Sequence, residues 1–147
     1  MAEALTSIAA EIQRFYLLVD HGHYEDAASL FIEGGELVFG PGSPKPGTLK
    51  GSAIEAALVA RRTNGHPVGR HVSSNLLIEP AAEGFDARSV LVIYRLDEKD
   101  VASLFLLADV AQSWIEKEGK WKMVRMEILP VSGNGSHAAA ATHQQAG

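Results

Sequence analysis

The chain has 147 residues, 46% of them hydrophobic and 21% charged, with a formal net charge of −5 and no cysteine; that length and balance fit one globular domain with a substantial core. Without cysteine there is no disulfide framework, thiolate metal site or cysteine nucleophile, and the densest positive segments, Arg61-Arg62 and Lys117 to Arg125, are short or interleaved with acids, which argues against a nucleic-acid partner. Met1 to Ala10 carries Glu3 and no basic leader, and no apolar run approaches the roughly 20 residues that span a bilayer, so a cytoplasmic chain with no membrane segment is expected.

Leu5, Ile8, Ile12, Tyr16 and Val19 recur at steps of three and four, the stripe of an amphipathic first helix, and Gly22 is a natural left-handed residue to end it. A shorter second helix follows, with Tyr24, Ala27, Ala28 and Phe31 on its apolar side and Gly34-Gly35 as its stop. Glu36 to Phe39 reads as a short strand, and the Gly/Pro-rich run Gly40 to Gly47 reads as a loop or lid, because proline lacks a donor and glycine lacks restraint. Ser52 with Glu55 three residues on has capping-box spacing and opens a third helix that runs to Gly65.

From Arg70 the apolar period changes from helical to alternating or continuous. Four strands are expected, Arg70 to Ile78, Ser89 to Leu96, Leu104 to Glu116 and Trp121 to Leu129, the last pair a hairpin through Glu118-Gly119-Lys120. Helices followed by a run of strands predict an α+β fold. A third strand of up to about thirteen residues exceeds the usual length and has to bend, so the sheet is expected to curl around the first helix and leave a pocket. The domain is placed at residues 1–131, with a low-complexity tail over 132–147.

Three patterns in this order resemble SnoaL-like proteins of the nuclear-transport-factor-2-like superfamily over roughly residues 5–130. They are Phe15-Tyr16-Leu17-Leu18-Val19-Asp20-His21-Gly22 running into Ala27 to Phe31, Arg70-His71-Val72-Ser73-Ser74-Asn75, and Gly119-Lys120-Trp121-Lys122-Met123. The resemblance implies a cystatin-like cone: N-terminal helices packed in a curved, mostly antiparallel sheet around a pocket. Its relatives include scytalone dehydratase, ketosteroid isomerase and the noncatalytic small subunits of ring-hydroxylating dioxygenases, and fold alone does not choose among them. Dehydratase-like members place a tyrosine and an aspartate on the first helix and a histidine on the first long strand, and Tyr16, Asp20 and His71 look like those positions. The chain departs from common family patterns at His23, where many relatives carry an acid, and at Ala108 to Gln112, which stands where a Gly-x-Tyr-x-Asp pattern is common.

The residues themselves support the same trio. Asp20 lies about 40° from Tyr16 on a 3.6-residue wheel, so both can face one cavity, and at a helix C-terminus a carboxylate gains nothing from the macrodipole. The bland alternative makes it a turn residue or a cap for the second helix. His71 alternates with Ser73, Asn75 and Leu77 on one strand face, a half-polar lining suited to a wet pocket; a histidine bonded at a sheet edge is the alternative. Tyr16 is either packing or a hydroxyl donor. Ser73, Asn75 and Asp109 are further candidates for substrate contact. Arg61-Arg62 and His66 read either as a rim that attracts an anion or as a solvated helix end, and Asp20-His21-Gly22-His23 has unconvincing metal spacing. No metal and no cofactor are expected.

These residues point to a cofactor-free lyase or isomerase for a hydrophobic, oxygenated cyclic molecule. The runner-up is a noncatalytic binding or assembly module. The apolar run Val90 to Tyr94 implies a strand covered on both faces, and hence a homodimer through the sheet under either reading.

Overall fold

The computed structural model describes residues 1–132. Helix α1 (Ala2–Asp20) buries Ile8, Ile12, Phe15, Tyr16 and Val19, the expected stripe with Phe15 added and Leu5 only half-buried. It ends in a Schellman motif: Gly22, at φ 78°, donates to the Val19 carbonyl at 3.2 Å, and His23 N–H donates to the Leu18 carbonyl at 2.8 Å. That cap fixes Asp20 as the last helical residue, at the point where α1 meets the sheet.

Helix α2 (Tyr24–Ala28) is shorter than the sequence suggests, because Phe31 opens strand β1 (Phe31–Phe39) instead of closing the helix. Met123 N–H donates to the Leu30 carbonyl at 2.7 Å and the Phe31 ring meets Phe15 edge-on at 5.9 Å, so tertiary pairing overrides the local helical spacing. Gly34-Gly35 lie at an irregularity within β1, not at a helix end. Strand β2 (Gly47–Lys50), which the Gly/Pro pattern concealed, pairs with β1. Helix α3 (Ser52–Thr63) is preceded by Gly51 at φ 59° as its cap, and Ser52 forms no capping bond. The Gly51 N–H donates to the Gly35 carbonyl at 2.9 Å, which holds the entry to α3 against β1.

Four long strands complete the fold: β3 (Gly69–Ala81), β4 (Gly84–Leu96), β5 (Ala102–Lys117) and β6 (Lys120–Pro130). The six-stranded sheet has the order β2-β1-β6-β5-β4-β3, with β1 and β6 parallel and the other pairs antiparallel. The α+β cone expected from the sequence is present. Irregularities at Ile93/Tyr94 and Ser113/Trp114 interrupt the long ladders, and a bulge of this kind bends a strand and sharpens its twist, which lets thirteen- and sixteen-residue strands curl. The concave face packs Leu91, Ala108, Val110, Trp114, Met123 and Met126 against α1 and α3. No helix among the described residues is long and apolar enough to cross a membrane. The low-complexity segment from residue 133 onward lies outside the described residues.

Candidate active site

Between α1, α3 and the concave sheet lies a cavity of about 910 Å³, at the upper end of the roughly 300–1,000 Å³ typical of small-molecule sites. Apolar side chains dominate its wall, among them Phe15, Val19, Leu37, Leu58, Ile93 and Met126. Ser43 to Pro46, from the Gly/Pro-rich loop, form part of that wall, and Ser43 is buried.

Asp20 and His71 meet on this wall. The His71 backbone N–H donates to Asp20 Oδ2 at 3.0 Å, and ring Nδ1 lies 2.5 Å from Oδ1. The Asp20 side chain is 4% exposed and that of His71 17%. A carboxylate offers acceptors only, so opposite Asp20 it is Nδ1 that carries a proton, and in the neutral imidazole the lone pair is on Nε2. Two hydrogen bonds thus offset the unfavourable placement of a carboxylate at a helix C-terminus.

Tyr16 lies one helical turn before Asp20 and stacks on the imidazole, with ring centroids 5.4 Å apart and planes 14° from parallel. Its hydroxyl is buried on the cavity wall without a hydrogen-bond partner among the described residues. Burial pushes the phenol well above its usual pKa, which keeps it a protonated donor.

The three substrate-contact candidates are not on the cavity wall. Ser73 shares the inner face with His71, pairs with buried Leu91, and has a buried, unpartnered hydroxyl. Asn75 is exposed at φ 54°, within a register shift between Ser74 and Leu77 where two residues of β3 oppose one of β4. That bulge breaks the simple alternation and turns Asn75 away. Asp109 belongs to the outer face of β5, between Val90 and Leu129 in register, while its neighbours Ala108 and Val110 face the core.

Basic groups complete the wall. Arg61 lines the cavity, whereas Arg62, one step along α3, points away and binds Glu25 at 2.7 Å and the Gly22 carbonyl at 3.1 Å over the Tyr24 ring. Arg95, which sequence reasoning missed, enters from β4 with its guanidinium carbon 3.4 Å from the Phe105 ring centroid. Its signal was present: Leu91, Ile93 and Arg95 share one strand face, so a charge interrupts an inward apolar series. His21 and His23 are both exposed in their turn.

His66 is exposed yet lines the cavity, and so stands at its opening. Loss of hydration first, then the charges of Arg61, Arg95 and His71, push its pKa down from 6.5 to about 4. The folded value lies below the unfolded one, so the unfolded chain binds the proton more tightly, and stability falls as pH drops from 6.5 towards 4. In urea titrations across that window, His66→Gln is expected to lose less stability than wild type. Identical pH dependence in the two proteins would contradict this assignment.

No curated protein sequence matches the chain. Among solved structures, an NTF2-like protein with a cystatin-like fold from Novosphingobium aromaticivorans superposes with a TM-score of 0.81 at 22% identity, covering 96% of this chain and 88% of the other. A candidate scytalone dehydratase from the same organism gives 0.73 at 20% identity, with coverage of 94% and 93%. A candidate beta subunit of its aromatic-ring-hydroxylating dioxygenase gives 0.72 at 15%, with coverage of 85% and 87%. At these identities the superpositions establish the fold and leave the reaction open. The sequence itself matches the SnoaL-like domain model over residues 1–127, and the chain belongs to that family.

Proposed function

We propose that the chain is a cofactor-independent acid–base enzyme, a dehydratase-like lyase or an isomerase, acting on a hydrophobic, oxygenated cyclic molecule. The observation that carries this reading is the Asp20–His71 pair, nearly enclosed on the wall of a largely apolar cavity. Asp20 orients the imidazole, and Nε2 removes a proton from carbon next to a substrate carbonyl. Charge then develops on the carbonyl oxygen, where the Tyr16 hydroxyl is the donor at hand. In a dehydration the electron pair returns to form the carbon–carbon double bond, the β-hydroxyl leaves, and His71 returns its proton to it as water. In an isomerisation the same proton goes to a different carbon. Turnover of hydroxy-ketones of the steroid and polyketide type is the test; no turnover across such a panel, with binding retained, leaves a binding module.

One observation favours a second reading, a noncatalytic assembly module such as a dioxygenase small subunit. The outer sheet face exposes Val72, Tyr94, Leu104 and Leu107, and Val72, Val92 and Leu107 lie side by side across three strands. Such a contiguous apolar patch marks an interaction surface. A homodimer through this face fits both readings. Wild type is expected to sediment as a dimer at micromolar concentration and Leu107→Arg as a monomer with an unchanged far-UV spectrum; a monomeric wild type would remove the proposed interface.

A further inference from the structure

The cavity is cationic in a chain that is anionic overall. Lys45, Arg61 and Arg95 line it, and Asp20 is the single carboxylate among the described lining residues, already committed to His71. Neither the Arg61 nor the Arg95 guanidinium forms an ion pair or hydrogen bond with any described residue. Arg62, their neighbour, shows what the ordinary alternative looks like: it is exposed and paired with Glu25. A half-buried guanidinium facing apolar wall without a counter-charge is costly, and an anionic guest removes that cost. Burial holds Arg61 and Arg95 below the usual arginine range, and both line the same cavity.

The β3–β4 register places this charge relative to the dyad. His71 pairs with Ile93 and Gly69 pairs with Arg95, so Arg95 leaves the sheet two residues beyond the level of His71, about 7 Å along the strand. Gly69 makes the crossing possible: a Cβ there would stand 3.3 Å from Arg95 Cγ and 2.4 Å from the Tyr94 carbonyl oxygen. The planar fork of arginine matches a carboxylate better than a point charge does.

Resting on the acid–base reading above, we infer that the substrate is an acid: an apolar cyclic molecule whose carboxylate is held by Arg61 and Arg95, about one ring-width from the carbon presented to His71. The probes are 2-naphthoate and its isostere 2-naphthamide, titrated by calorimetry at pH 7.5 into wild type, Arg61→Gln/Arg95→Gln and His71→Asn. The acid is expected to bind wild type at least tenfold tighter than the amide, with that preference retained in His71→Asn and reduced to within twofold in the double arginine variant. If the double variant melts before assay, each single Gln variant is expected to lose at least threefold of the preference. Equal affinity of wild type for acid and amide overturns the inference while leaving the dyad untouched, because binding of either probe requires no proton transfer at His71. A preference that survives loss of both arginines overturns it too, transferring the anion to Lys45. If neither probe binds at millimolar concentration, the inference and the apolar-cavity reading fall together.

Discussion

His71→Asn is expected to lower turnover of a productive substrate by about 10²- to 10⁴-fold, the usual contribution of a positioned general base, with ligand affinity changed much less. Asparagine keeps polarity at the site and has no group able to accept and return a proton near neutral pH. Asp20→Asn is expected to act through the ring: an amide presenting N–H₂ to Nδ1 favours the other tautomer, turning the lone pair away from the substrate and the proton towards it. The comparison that matters is kcat against KM. A loss confined to kcat in both variants supports the dyad, and a double variant no slower than either single one marks the two as a unit. Unchanged kcat in both removes the base, whatever the cavity binds.

The second large effect concerns stability. Trp114→Ala is expected to cost about 3–5 kcal/mol, the range for emptying a buried aromatic site. Trp114 is fully enclosed on the inner face of β5, lies opposite Met123 in register at a bulge, and donates from Nε1 to Gln112 Oε1 at 3.4 Å. Truncation leaves a void and an unanswered acceptor at a point where the ladder is already irregular. Trp114 does not line the cavity, so specific activity per folded molecule is expected to stay near wild type. Urea unfolding measures the first part; a midpoint within experimental error of wild type would show that the bulge region relaxes into the space.

Much of this was legible in the sequence where local chemistry and tertiary packing agree. The stripe on α1, the glycine that ends it, and the trio Tyr16, Asp20 and His71 follow from periodicity and resemblance, and all three side chains stand on the cavity wall. Failures cluster where a neighbour overrides local preference. Phe31 keeps helical spacing with Ala27 and Ala28, yet β6 draws its segment into the sheet. Asn75 keeps strand alternation with His71 until an inserted residue changes the phase. Arg61 and Arg62 differ by about 100° on the helix, and tertiary partners of Arg62, Glu25 thirty-seven residues away among them, separate the cavity residue from the exposed one. Asp109 could not be placed without the phase of β5, which depends on its pairing partners.

Asp20 grips two different kinds of atom on β3. One bond is to the imidazole; the other is to the main-chain amide of the same residue, and every amino acid except proline supplies that amide. One of the two bonds between the opening helix and the sheet therefore persists with any residue but proline at position 71. Under the acid–base reading, a change of side chain at position 71 would remove the proposed proton carrier and still leave this main-chain tie between helix and sheet.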